Sequence, residues 1–366
     1  MCKKKSKLQL AQEETQAAID KVNKRIERLG ENTSDLYQSL TEIQSIFDRI
    51  RNVPSDQRLK YEELKKVRLN WKKQAEKIEE DYKKAAAKGV GAGAAGAGLG
   101  VAVVALGPTA AMGVATTFGV ASTGTAIAAL HGAAATNAAL AWLGGGALSL
   151  GGGGMAAGEA FLAMAGPIGW AIAGAALLSS GLLFWKANAD KKRIDNIFTL
   201  ISKRDVKSYS LAVVELEERI DRIKDESGKL NEAITIIRTF GTDYEKMSEA
   251  QQYELGGYLN LMLSSTQLLT NPILGLQPKY TEKDFQQFCS KNQMKELLEY
   301  PVCRNVVVSL ANLLYKIDLD SKDRKVLWKT LRKNKNMLKA FDMKKKDFDY
   351  SFFEITSMAL EYKYNN

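Results

Sequence analysis

The chain has 366 residues, 45% of them hydrophobic and 26% charged, with a net charge of +10, one histidine and three cysteines. A multi-histidine metal site is therefore impossible, and a Ser/His/Asp or Cys/His centre is disfavoured because the only imidazole, His131, lies in apolar sequence. Cys2, Cys289 and Cys303 form no CxxC pair, so no disulfide framework is indicated and a reducing compartment fits.

The averages conceal two unlike materials. From Gly89 to Trp185, 97 residues hold 23 of the 29 glycines and 29 alanines, but a single carboxylate, Glu159, and no lysine or arginine. Residues 1–88 carry 21 Lys/Arg against 15 Asp/Glu, and residues 186–366 carry 31 against 26. So sharp a change marks a second solvent: soluble helices flank a Gly/Ala-packed helical stretch that enters a membrane. The basic flanks favour anionic partners, lipid or nucleic acid. Met1-Cys2-Lys3-Lys4-Lys5 leads straight into charged helix, so no secretory signal is expected; Cys2 beside the lysines would suit a lipidated anchor.

In chain order, Ile19, Val22, Ile26 and Leu29 alternate by three and four, and Gly30 stands where a helix C-cap would. Asn32-Thr33-Ser34-Asp35 can cap a second helix carrying Leu36, Leu40, Ile43, Phe47 and Ile50, which Val53-Pro54 stops. A third begins near Ser55, with the stripe Leu64, Val67, Trp71, Ala75, Ile78, Tyr82 and Ala85, and no breaker separates it from the apolar stretch.

Inside that stretch, Gly107-Pro108, His131-Gly132, Gly144 to Gly146, Gly151 to Gly154 and Gly166-Pro167 mark breaks. Gly91 to Leu106, Thr109 to Leu130 and Ile168 to Trp185 approach the length needed for a ~30 Å hydrocarbon core. Ala133 to Leu143 and Met155 to Ala165 are too short and read as a re-entrant pair or hairpin tip. Trp170, Trp185 and Lys186 are interface anchors. Lysines on both flanks place both ends on one side, with both termini cytoplasmic and two or four passes, a hairpin with a re-entrant tip being preferred. Gly89/Gly93 and Gly96/Gly100 are spaced for close helix packing in lipid. Gly91 to Gly96 also spells GxGxxG, but no strand precedes it and the first acidic residue downstream is Glu159, so nucleotide binding is disfavoured. Glu159 is an ionisable group at membrane depth or in an aqueous tip, and His131 a turn residue or a pH sensor.

Beyond the stretch, Val213, Leu216, Ile220, Ile223, Ser227, Leu230, Ile234 and Ile237 form a heptad seam with one polar member. Shorter helices follow, with capping signals at Ser248/Gln251 and Thr281, a break at Asn271-Pro272 and a core-like helix from Val302 to Tyr315. Asp318, Asp320 and Asp323 match a calcium loop poorly and suit a helix N-cap led by Asp320. Between Lys322 and Lys346, eleven Lys/Arg face two Asp. This patch, including Lys325, Lys329, Arg332, Lys333, Lys335, Lys339, Lys344, Lys345 and Lys346, reads as a basic amphipathic helix suited to anionic headgroups or nucleic acid, or to a solvated face.

The expectation is an all-α protein: residues 1–88 as amphipathic coiled-coil helices, 89–185 as a Gly/Ala-rich membrane-inserting hairpin, 186–240 as a coiled-coil helix and 241–366 as a small basic helical domain. Long amphipathic helices around an apolar hairpin resemble helical pore-forming proteins of the colicin, apolipoprotein L and helical haemolysin types. The resemblance covers Gly89 to Trp185 and its neighbouring helices, and rests on layout. It implies a protein that is soluble or membrane-attached at first, then inserts, oligomerises and permeabilises a membrane; in bacteria such proteins act as toxins or cell-suicide effectors against phage. High glycine content and the missing secretion signal favour an intracellular effector over an exported toxin. The partners expected are an anionic bilayer, further copies of the chain and a protein held by the coiled coil, with nucleic acid disfavoured. No enzymatic activity and no cofactor are expected. A constitutive scaffold presenting coiled coils is the alternative, and a basic nucleic-acid-binding protein the third.

Overall fold

A computed structural model describes residues 6–89, 108–118, 188–333, 338, 341 and 343–366. The chain is all-α. Among the described residues the helices are α1 (Lys7–Phe47), α2 (Ser55–Gly89), α3 (Pro108–Phe118), α4 (Asn188–Ile237), α5 (Glu249–Thr270), α6 (Glu282–Lys291), α7 (Pro301–Leu314), α8 (Ser321–Leu331) and α9 (Ser351–Asn365), joined in places by short 3₁₀ turns.

The heptad seam of α4 is buried against α1. Leu216, Ile220, Ile223, Leu230, Ile234 and Ile237 of α4 are buried in one core with Val22, Ile26, Leu29, Leu36, Leu40 and Ile43 of α1. Each such side chain contributes roughly 1.5–3 kcal/mol on burial. The polar contacts fix the direction. Arg25 meets Glu217 at 2.6 Å, Ser39 Oγ donates to Asn231 Oδ1 at 2.9 Å, and Arg238 pairs with Glu42. Numbers rise together on both helices, so α1 and α4 run parallel. Beyond their C-terminal ends a short parallel bridge joins the two following turns, with Arg51 N donating to Thr242 O and Tyr244 N to Arg51 O, both at 3.0 Å.

α2 folds back along α1: Tyr61 Oη donates to Asp48, Arg68 Nη1 to Thr41 Oγ1 at 2.6 Å, and the Trp71 ring lies 5.5 Å from that of Tyr37. α5 folds back along α4 in the same way, with Ser264 and Ser265 donating to Glu226 and Arg219 Nη1 donating to the carbonyls of Leu268 and Asn271 at its C-terminal end. The Leu64–Ala75 face of α2 therefore meets α1, α3 and α5, while the seam of α4 is taken by α1.

Two boundaries differ from expectation. α1 does not stop at Gly30 and restart at Asn32; it is one helix of 41 residues, about 60 Å long. Thr33 Oγ1 donates back to Leu29 O at 2.9 Å and Asn32 Nδ2 to Arg28 O at 2.7 Å, so these polar residues satisfy helix-interior carbonyls and cap nothing. Likewise the basic segment from Lys322 to Lys346 is no single helix: α8 ends at Leu331, and Lys345–Asp347 form a turn. Elsewhere the local signals act as expected, with capping boxes at Ser248 and Thr281 and an Asp320 N-cap.

A second core gathers the start of α4 (Ile194, Ile197, Phe198, Ile201) and Leu8 with Phe285, Phe288, Leu310, Leu327, Phe348 and Phe353 from α6 to α9. The C-terminal helices thus dock on the first turns of α4, the end at which the chain leaves the apolar stretch.

Candidate functional site

Only α3 represents the interior of the apolar stretch among the described residues, and it lies inside the bundle. Ala111, Met112, Val114, Ala115, Thr116 and Thr117 are all buried, covered by α1, α2 and α5. A helix of apolar and small residues seats there because two glycines let its backbone touch that of α1. A methyl on Gly30 would stand 1.8 Å from the carbonyl oxygen of Thr109, and one on Gly113 2.1 Å from that of Ile26. Glycine hydrogens therefore face carbonyl oxygens across the crossing, a close approach that any side chain forbids. Thr117 Oγ1 is satisfied by Gly113 O at 2.7 Å, and Thr117 O accepts from Ile273 N at 2.7 Å, which pins the C-terminal end of α3 to the turn after α5.

α3 comprises the start of the expected span Thr109 to Leu130. At eleven residues it extends about 16 Å, and among the described residues no helix is long and apolar enough to cross a membrane. Gly89 closes α2. Gly93, Gly96, Gly100, His131, Glu159, Trp170, Trp185 and Lys186 lie outside the described residues, as do Lys335 and Lys339.

Where the two cores meet, α4 carries a buried polar group that sequence reading missed. Arg204 Nη1 donates to the carbonyls of Asn312, Leu313 and Tyr315, satisfying the C-terminal end of α7. Arg204 Nε donates to Asp205 Oδ1 at 2.9 Å. Asp205 is fully buried, and burial outweighs the neighbouring Arg204 and Lys279 charges and pushes its carboxyl up to about 7. Tyr209, one turn on, is driven upward by burial and by Asp205. Asp205 Oδ2 and Tyr209 Oη find no hydrogen-bond partner among the described residues. The available signal was its position: Asp205 follows Ile201 by four and interrupts the apolar stripe of α4.

At the base of α4, Arg193 reaches Asp323 at 2.5 Å and Asp320 at 3.2 Å, tying the first turns of α4 to the N-terminus of α8. Lys322, Lys325, Lys329 and Lys333 are exposed, as are Lys344, Lys345 and Lys346. The two parts of the patch are joined by Arg332, whose Nε donates to Lys345 O at 2.8 Å while its guanidinium covers the Trp328 ring at 5.0 Å. Among the described residues no group of three metal-ligating side chains occurs. Comparison with family models, with curated proteins and with solved structures yields no match.

Proposed function

We propose that this chain is a membrane-inserting helical protein whose Gly/Ala-rich stretch enters a bilayer, associates with other copies and makes the membrane permeable, as an effector of cell-suicide or anti-phage defence. The observation that carries this reading is the 97-residue stretch with one carboxylate and no lysine or arginine, set between two strongly charged flanks. Two features of the fold support it. α2 runs toward the stretch and α4 away from it at the same end of the α1–α4 pair, which suits an even number of passes. α3, part of the stretch, is held among amphipathic helices by a two-glycine crossing, as a chain waiting outside the bilayer requires. The α1–α4 pair is read as a coiled coil that supports assembly. Both termini would lie on the cytoplasmic side.

The test is dye release from anionic liposomes and membrane potential in expressing cells. Wild type should leak. Gly96→Leu should insert without leaking, because leucine keeps hydrophobicity and blocks close helix approach. Glu159→Gln should alter ion passage separately. Absence of leakage from wild type under every lipid composition and trigger would transfer the chain to the scaffold reading, which Leu211 and Val214, over 60% exposed on α4, favour.

A further inference from the structure

The charges of α8 are sorted by direction. Its two acidic residues at the N-terminus, Asp320 and Asp323, are both turned to Arg193 of α4. Lys322, Lys325, Lys329 and Lys333 recur at three- and four-residue spacing, along one face of the helix and into the turn that follows it, and all four are exposed. None of them closes an ion pair among the described residues. Arg332 brings the Lys344–Lys346 turn beside this face, where Asp347, accepting from Lys344 N at 3.1 Å, is the nearest carboxylate on the turn. Lys191 and Lys192, in the first turn of α4, are exposed too, and Lys191 faces Asp195. The position of this surface selects its partner. Arg193, which anchors α8, stands eight residues beyond Trp185, where the apolar stretch ends, so the lysine face lies at the end of the molecule from which that stretch departs.

We propose that the lysine face of α8 and the Lys344–Lys346 turn form a surface for anionic phospholipid headgroups, which seats this end of the molecule on the bilayer. The inference rests on the membrane-active reading above and assigns the lipid class that reading requires.

Flotation of the intact chain with phosphatidylcholine vesicles, with and without phosphatidylserine, tests it. Binding should be stronger on the anionic vesicles and should weaken as salt is added. Each lysine near such a surface is worth about a fivefold change in partition, so the triple variant Lys325→Gln, Lys329→Gln, Lys333→Gln should lose about a hundredfold on anionic vesicles and nothing on neutral ones. The matched variant Lys60→Gln, Lys66→Gln, Lys224→Gln, distant from this surface, should bind as wild type does, and thermal melting followed by circular dichroism should be the same for all three proteins. Equal binding of the α8 variant and wild type to anionic vesicles overturns the proposal and leaves the membrane reading intact. So does lysine-dependent binding to a DNA duplex with no preference between the vesicles. Failure of wild type to bind either vesicle overturns both.

Discussion

At the scale of single residues, glycines in regular helix separate cleanly into two kinds. Ala normally stabilises a helix interior by roughly 0.5–1 kcal/mol relative to Gly, and Gly228 of α4, with nothing within 4 Å of an added methyl, should show that gain. At Gly30 and Gly113 the same change drives a methyl into a carbonyl oxygen, and overpacking costs about 1–3 kcal/mol, more than the propensity returns. Urea unfolding of the three Gly→Ala variants should give one gain and two losses; three gains would mean that α3 does not touch α1. A second residue-scale prediction concerns Asp205. Its carboxyl is raised to about 7 when folded, against 3.8 for the free group, so the folded state binds its proton more tightly. The stability it contributes is full below about 4 and is lost as pH rises through 7. The melting temperature of wild type should therefore fall from pH 5 to 8 relative to that of Asp205→Asn; parallel curves would remove Asp205 as the cause. Gly30 also shows why residue roles were only partly legible. Glycine after a periodic leucine is the ordinary helix-stop signal, and nothing local distinguishes it from a glycine needed for a crossing with residue 113.

At the scale of elements, the strongest periodicity in the sequence was informative about burial and silent about partner. The heptad positions of α4 are the buried ones, yet a/d spacing is equally compatible with α2, α1 or a second copy, and only charge pairs such as Arg25–Glu217 select α1 in parallel. Spin labels at positions 25 and 217 should be close, and labels at 42 and 217 displaced by about 25 Å along the helix axis, since the two sites on α1 differ by 17 residues. The reverse ordering would establish antiparallel packing and undo the assignment of both flanks to one end. Caps at Ser248, Thr281 and Asp320 were readable because a cap is decided within four residues. The split of the basic segment was not, because α8 ends where Arg332 turns to bond Lys345 O and stack on Trp328, contacts that no periodicity encodes.

For the whole molecule, the helical periodicities of the charged flanks made the all-α plan legible, but the composition break at Gly89 and Trp185 hid that the apolar stretch supplies a piece of the bundle, α3. Removing 89–185 also removes α3 and uncovers the faces of α1, α2 and α5 against which it packs. A chain so shortened should melt at a lower temperature than one that keeps Pro108–Phe118 on flexible linkers, and should bind an apolar dye that the longer one excludes. The parallel pairing of α1 with α4 has a further consequence, for synthesis. Partners about 192 residues apart cannot meet until the second has been made, and closing such a loop costs about 3 kcal/mol more than closing one of ten residues. Translation proceeds at roughly 5–20 residues per second, so α1 and α3 stand outside the ribosome for several seconds before α4 is complete and can cover the apolar face of α1. The nascent chain is thus at its most adhesive well before it is finished, and ribosome pace or a chaperone acting in that interval would decide whether the apolar face of α1 finds α4 or another chain first.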